Sequence, residues 1–197
     1  MIDSPLVAYI SIFKNYGENG GASLTHSHSQ IMAMPFLPKK VKEEIRLKKE
    51  FYSEHKRALL DELVYEERDF AKGVIFENKE FILYCPYASE FAFEAKIVSK
   101  NKLSSLMEFS KSEISSLSDI VKIYFNSMNK ALGDISFNMI INNAPYEGYD
   151  ENTKEYFRFN IELKPRLYKQ AGFELDSDIS INVILPEEAA KIYKESK

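Results

Sequence analysis

Cysteine occurs once in these 197 residues, at Cys85. No intrachain disulfide can form, and a reducing cytoplasm is the simple expectation. Cys85 lies in the apolar run FILYCPYASEF and reads as a small buried hydrophobe. No apolar run approaches the roughly 20 residues that a membrane span needs. The N-terminal MIDSPLVAYISIFKN has neither a basic region nor a small-residue cleavage site. Neither a leader nor a membrane partner is therefore expected. A basic stripe is also missing: 26 Lys and Arg are interspersed with 30 Asp and Glu, for a net charge of −4. Nucleic acid has no electrostatic footprint here. A nucleotide is not excluded, because local groups can hold phosphate on an acidic protein. Histidine is scarce as well, with 3 in the chain, so the placing of two of them side by side carries information.

What is present suits an ordinary globular chain, with 45% hydrophobic and 28% charged residues. The length allows one large domain or two small ones. LVAYISIFKN (6–15) is short and rich in β-branched and aromatic residues, which predicts a strand. A glycine-rich loop follows, then a second short strand in SQIMAMPF. From Lys39 to about Arg57 the charge pattern, with apolar Val41, Ile45, Phe51 and Tyr52, predicts an amphipathic helix. GVIFENKEFILYCPYA reads as a hairpin turning at ENKE, and FEAKIVSK as a further strand. SKSEISSLSDIVKIYFNSMNKAL reads as a helix capped by Ser110 or Ser112, with an apolar stripe at Ile114, Leu117, Val121, Ile123, Phe125 and Met128. ISFNMIIN and EYFRFNIELKP are two more strands. The span 73–166 is thus β-β-β-α-β-β, an α+β unit. The tail is expected to give a short extended stretch and a final helix with Pro186 in its first turn.

The first sixty residues do not balance. Two strands and a helix cannot cover both faces of a sheet, and an isolated hairpin is marginal in water. The strand at 6–15 is therefore expected to present an open edge that needs a partner, as if the chain began in the middle of a domain.

The chemistry concentrates in GENGGASLTHSHSQIMAMP (17–35). Two histidines at i, i+2 on a strand point to one face. By themselves they fit partly buried polar residues satisfied by the backbone, or half of a metal site. The surroundings add to this. Gly17, Gly20 and Gly21 allow a close backbone approach, and successive N–H groups in such a loop make an anion nest. Ser23 adds a hydroxyl, and Gln30 adds an amide on the face of His26 and His28. A nest, a nucleophilic imidazole and an amide describe a place for an α-phosphate.

The pattern N-x-G-x-x-x-G-x-S-x-x-H-x-H-x-Q, met at Asn15, Gly17, Gly21, Ser23, His26, His28 and Gln30, resembles the galactose-1-phosphate uridylyltransferase branch of the histidine-triad superfamily. IMAMPFLPKKVKEE and the tail AGFEL…IN…PEEAA continue the likeness. It implies an α+β fold of histidine-triad-like antiparallel sheets with flanking helices. Residues 1–60 would be the C-terminal part of a first, catalytic lobe. Residues 61–197 would be a complete second lobe with a C-terminal dimerisation and substrate segment. The resemblance further implies two-step nucleotidyl transfer between a UDP-sugar and a sugar 1-phosphate. In it, His28 is the nucleophile and Gln30 steadies a phosphoryl oxygen, while Asn15, Gly21 and Ser23 hold phosphate. His26 would be a zinc ligand. KQAGFE, with Lys169, Phe173 and Glu174, would reach the sugar across a dimer interface; read locally, it is equally a structural turn at Gly172.

The departures are specific. No upstream strands, uridine-binding surface or further zinc ligands accompany His26, and structural zinc takes four ligands, so no intact zinc site is expected. A C-x-x-C pair of many relatives falls on Ala58 and Asp61. The family's PK-x-H falls on residues 99–102 and ends in Lys102, its H-x-x-P starts at Asn142, and its HWHIE falls on residues 158–162 with Arg158 and Asn160 for histidines. Glu162 survives, as does Glu44, which matches an acid that can help bind a second metal and reads locally as one more charge on a solvated helix. ELDSDISIN stands where relatives have a glycine-containing ELGTG. The second lobe is expected to be structural only. Two functions follow as expectations: an impaired uridylyltransferase-like enzyme, or a degenerate relative that binds phosphate or nucleotide or acts as a scaffold. A dinucleoside-polyphosphate phosphorylase shares H-x-H-x-Q, but the tail favours the sugar branch. A homodimer, or association with a missing N-terminal half, is expected.

Overall fold

A computed structural model describes residues 6–24, 26–169 and 171–197, without the side chains of Phe70 and Ala71. Residues 1–5, which carry part of the argument against a leader, lie outside the described residues, as do Thr25 of the glycine-rich stretch and Gln170 of KQAGFE.

The strands are β1 (Tyr9–Tyr16), β2 (Ser29–Met34), β3 (Val74–Glu77), β4 (Phe81–Tyr84), β5 (Ala95–Ser99), β6 (Phe137–Asn142) and β7 (Asn160–Pro165). The helices are α1 (Lys39–His55), α2 (Leu59–Glu66), α3 (Lys111–Leu132), α4 (Thr153–Tyr156), α5 (Gly172–Ser177) and α6 (Pro186–Glu195). Among the described residues, these seven strands join one antiparallel sheet in the order β2-β1-β6-β7-β5-β4-β3. The architecture is the expected α+β mixture of an antiparallel sheet with flanking helices.

One face of the sheet carries Phe81, Leu83, Ala95, Ile97, Ile161 and Leu163, all buried against Ile120, Tyr124 and Met128 of α3 and Ala189, Ala190 and Tyr193 of α6. The stripe on α3 starts later than expected, since Ile114 is 52% exposed. Ser110 caps that helix: its hydroxyl accepts from the Glu113 N–H at 3.3 Å and its own N–H donates to Glu113 Oε2 at 2.8 Å. On the opposite face Ile82, Tyr84 and Val98 meet Leu60 and Val64 of α2. Cys85 is fully buried, and burial pushes its thiol far up. Among the described residues, no helix is long and apolar enough to cross a membrane.

Three expectations are corrected. The strand at 6–15 is not an open edge. β1 pairs with β2 on one side and with β6 on the other, with Ile12 opposite both Ile31 and Ile141. Residues far along the chain supply the missing neighbour, and the outer edge belongs to β2 instead. The tail is not simply extended before its last helix. Residues 172–177 form α5, because the Glu174 carboxylate accepts the Ala171 N–H at 3.1 Å and satisfies the first turn. Finally, α2 and a π-helical turn at Glu67–Ala71 occupy a stretch where only a change of register was expected.

Candidate functional site

Strand alternation and register decide which side chains meet. Gln30 on β2 faces Phe13 on β1, and Asn15 on β1 faces Asn138 on β6. These residues share the face of the sheet that also carries Glu162 and Lys164 of β7. His28 stands two residues before Gln30, so it falls over the same face. Among them, the structure shows contact between His28 and Gln30 and between Asn15 and Asn138.

The imidazole of His28 is held at both nitrogens. Its Nδ1 lies 2.9 Å from the backbone carbonyl of His26. A carbonyl only accepts, so Nδ1 carries the proton and Nε2 carries the lone pair. Gln30 Nε2 lies 3.3 Å from His28 Nε2 and donates to it. The side chain of His26 is exposed and contributes to this arrangement through its backbone oxygen. In the neutral tautomer that this contact selects, Nε2 is the nucleophilic nitrogen and faces a carboxamide donor.

The loop before it is shaped by close approach. A Cβ on Gly20 would fall against the backbone oxygens of Tyr16 and Phe137, 2.8 Å from the latter. Gly17 and Gly21 adopt φ of +72° and +74°, which only glycine takes without strain. The expected nest of successive N–H groups is not what this loop builds. The N–H groups of Gly20 and Ala22 donate to the Gly17 carbonyl and that of Gly21 to the Glu18 carbonyl. A tight turn consumes those three donors. Asn15, Ser23 and Ser27 line a cleft of about 390 Å³ together with Tyr16, Gly17 and Asp134. Gly21 is exposed beside it. Sequence reasoning missed Asn138, whose Nδ2 donates to Asn15 Oδ1 at 2.9 Å and to the Gly20 carbonyl at 2.8 Å. The one available signal was a polar side chain recurring with Asn142 on one face of an otherwise apolar strand.

The KQAGFE segment lies elsewhere. Lys169 and Glu174 line a separate hollow of about 40 Å³ with Glu90, Phe91 and Tyr168, and Phe173 is 53% exposed on α5. Glu174 is engaged in capping that helix.

At the positions where the resemblance places histidines, and at Glu44, the groups present are engaged with one another. Asn142 Nδ2 donates to Asn160 Oδ1 at 2.9 Å and to Glu162 Oε1 at 3.2 Å. Arg158 grips Asp61 with two hydrogen bonds at 2.9 and 2.7 Å. Glu44 is not only a solvated charge: its carboxylate pairs at 2.6 Å with Lys48 Nζ, whose side chain is 3% exposed and lies 4.0 Å from the Phe157 ring centroid. Amides and cations stand in the place of imidazoles, and an ammonium already neutralises the acid. Burial presses the Lys48 ammonium toward its neutral form, while Glu44 opposes that shift. Around His26, no group of three or more His, Cys, Asp or Glu that could hold a metal occurs among the described residues.

Comparison with known proteins places the chain in a family. Residues 2–195 match the family described as "Domain of unknown function (DUF4921)". A galactose-1-phosphate uridylyltransferase of Thermotoga maritima is 31% identical over 97% of this chain and 61% of its own length. An ADP-glucose phosphorylase of Arabidopsis thaliana is 30% identical over 96% of this chain and 52% of its own length. The crystal structure of an Arabidopsis ADP-glucose phosphorylase with bound ADP-glucose superposes with a TM-score of 0.89 at 28% identity, covering 100% of this chain and 61% of that one. A structure titled uridylyltransferase gives a TM-score of 0.87 at 27% identity, over 98% of this chain and 61% of that one. The chain thus spans about half to three-fifths of the length of these relatives. It belongs to the DUF4921 family and is a relative of the galactose-1-phosphate uridylyltransferases.

Proposed function

We propose that this chain carries the nucleophilic part of a nucleotidyl-transfer site. His28 Nε2 attacks the α-phosphorus of a nucleoside diphosphate sugar, the N–P bond forms, and the bond to the leaving sugar 1-phosphate breaks. A phosphate oxygen of a second sugar 1-phosphate then attacks the same phosphorus and frees the imidazole. Neutral imidazole suits both steps as nucleophile and leaving group. Gln30 donates to a non-bridging oxygen as charge develops there, and Asn15 and Ser23 hold phosphate oxygens beside it. The observation that carries this reading is the hydrogen bond from His28 Nδ1 to the His26 carbonyl at 2.9 Å, which leaves Nε2 as the lone pair. Lys169, Phe173 and Glu174 serve the sugar only if a second copy brings them to the loop, so the reading includes a homodimer. His26 holds no zinc in it.

Relatives carry additional chain that this sequence does not align with. Lost substrate positioning weakens catalysis, so we expect feeble turnover from the isolated chain unless a second polypeptide supplies the nucleoside surface. A catalytically degenerate, nucleotide-binding scaffold is the competing reading, favoured by the amides and cations at the second-lobe positions. Incubation with UDP-glucose, UDP-galactose or ADP-glucose, followed by mass spectrometry of the peptide holding His28, separates them. A uridylyl or adenylyl adduct supports the transferase and names the donor. A folded chain that forms none from any donor overturns it.

A further inference from the structure

Asn138 reaches two groups with one nitrogen. One of them, the Gly20 carbonyl at 2.8 Å, only accepts, so the nitrogen side of the Asn138 amide must point there. The same nitrogen then faces Asn15 at 2.9 Å, and Asn15 must offer its oxygen. The Nδ2 of Asn15, with its two protons, is thereby turned away from Asn138, in a residue that lines the cleft with Ser23 and Ser27. A backbone carbonyl in the loop thus sets, through two amides, which end of Asn15 a ligand meets. The loop's own N–H groups at Gly20, Gly21 and Ala22 are consumed in its turn, so the Asn15 amide joins the Ser23 and Ser27 hydroxyls as a side-chain donor at the cleft.

We propose that Asn138 is a positioning residue that locks the Asn15 carboxamide with its N–H donors toward the cleft, so that the cleft takes a phosphoryl or diphosphoryl group. This deepens the reading of the site as a phosphate site and rests on it. An acceptor-only side chain at 138 reverses the lock: it would draw the Asn15 nitrogen toward itself, present the Asn15 oxygen to the cleft and repel the Gly20 carbonyl.

The test uses the whole chain labelled with ¹⁵N-asparagine and titrated with inorganic pyrophosphate, with the Asn15 side-chain amide signals as readout. In the parent protein those signals are expected to shift saturably. Asn138→Asp should weaken the apparent affinity by about tenfold or more, the scale of one hydrogen bond to a charged group. Asn138→Ser, which removes the lock without reversing it, should lose less. A merely structural role would make both losses follow the fall in unfolding temperature instead, and that pattern overturns the proposal. So does pyrophosphate binding by Asn138→Asp within about twofold of the parent, or a parent protein whose Asn15 signals stay still. Should Asn138→Asp not fold, the Ser variant and the parent titration decide. Nucleotidyl transfer is judged separately by the His28 adduct: pyrophosphate binding without an adduct defeats the transferase and leaves the Asn138 lock standing.

Discussion

The Nε2 of His28 and the Nε2 of Gln30 stand 3.3 Å apart, nitrogen to nitrogen. Because the His28 Nδ1 proton is committed to the His26 carbonyl, only Gln30 can donate between them. His28→Asn is expected to abolish any nucleotidyl adduct. Gln30→Ala should leave the adduct chemically possible but slow its formation by about 10²- to 10³-fold, the usual loss of one donor to a developing oxyanion. Rapid-quench mass spectrometry with the working donor measures both. Adduct formation by the Asn variant at the parent rate would remove His28 from the mechanism.

Gly20→Ala should damage the loop rather than the chemistry. Its added methyl meets backbone oxygens of Tyr16 and Phe137, atoms that cannot swing aside. Overpacking of this kind costs about 1–3 kcal/mol. We expect lower stability in urea together with a matched loss of pyrophosphate binding. An Ala variant that keeps both would mean the loop does not need this contact.

Lys48 and Glu44 should respond unequally. Lys48 is 3% exposed and Glu44 42%. Glu44→Gln strips the buried ammonium of its partner and is expected to cost about 1–3 kcal/mol, less than for a fully buried pair because water reaches the acid. Lys48→Met removes the buried charge and keeps packing on Phe157, so it should be near neutral or stabilising. Denaturant melts of the two variants test the asymmetry, and a larger loss in the Met variant would contradict it.

Two carboxyls should give opposite pH signatures. Burial opposes the charge on Glu162, but Lys96 and Lys164 outweigh it and hold its carboxyl below the usual range. Its contribution is therefore complete above the ordinary carboxylate value and is lost as pH falls through its lowered value. Glu67 is pushed up by burial, which the Tyr87 N–H only partly relieves, and its Oε2 has no hydrogen-bond partner among the described residues. Its carboxyl binds its proton more tightly folded than unfolded, so stability falls as pH rises from the ordinary value through the raised one. Relative to the parent, Glu162→Gln should look least harmful in acid, and Glu67→Gln should become most favourable near neutrality. Urea melts at about pH 3, 5 and 7 check both signs. Parallel curves for parent and variants would show that these groups do not titrate on folding.

The local rules were legible in the residues alone. Short runs rich in β-branched and aromatic residues placed β1 to β7 nearly where they lie, Ser110 and Glu113 announced the start of α3, and Pro186 announced that of α6. The grouping of His28 with Gln30 followed from a spacing of two. The fates of the other residues were settled by partners far along the chain. Asn15 meets Asn138 across 123 residues, and β1 gains β6 as its second neighbour, which turned an expected open edge into the interior of a sheet. The glycine loop suggested an anion nest because the pattern shows where N–H groups can turn, but not which carbonyls will claim them. Glu44 read as a solvated charge because its neighbour Lys48 is buried only once α1 lies on Phe157. Spacing along a strand or helix is written in neighbouring residues. Register between strands, and the choice of hydrogen-bond partner that follows from it, comes only from the free energy of the whole packed sheet.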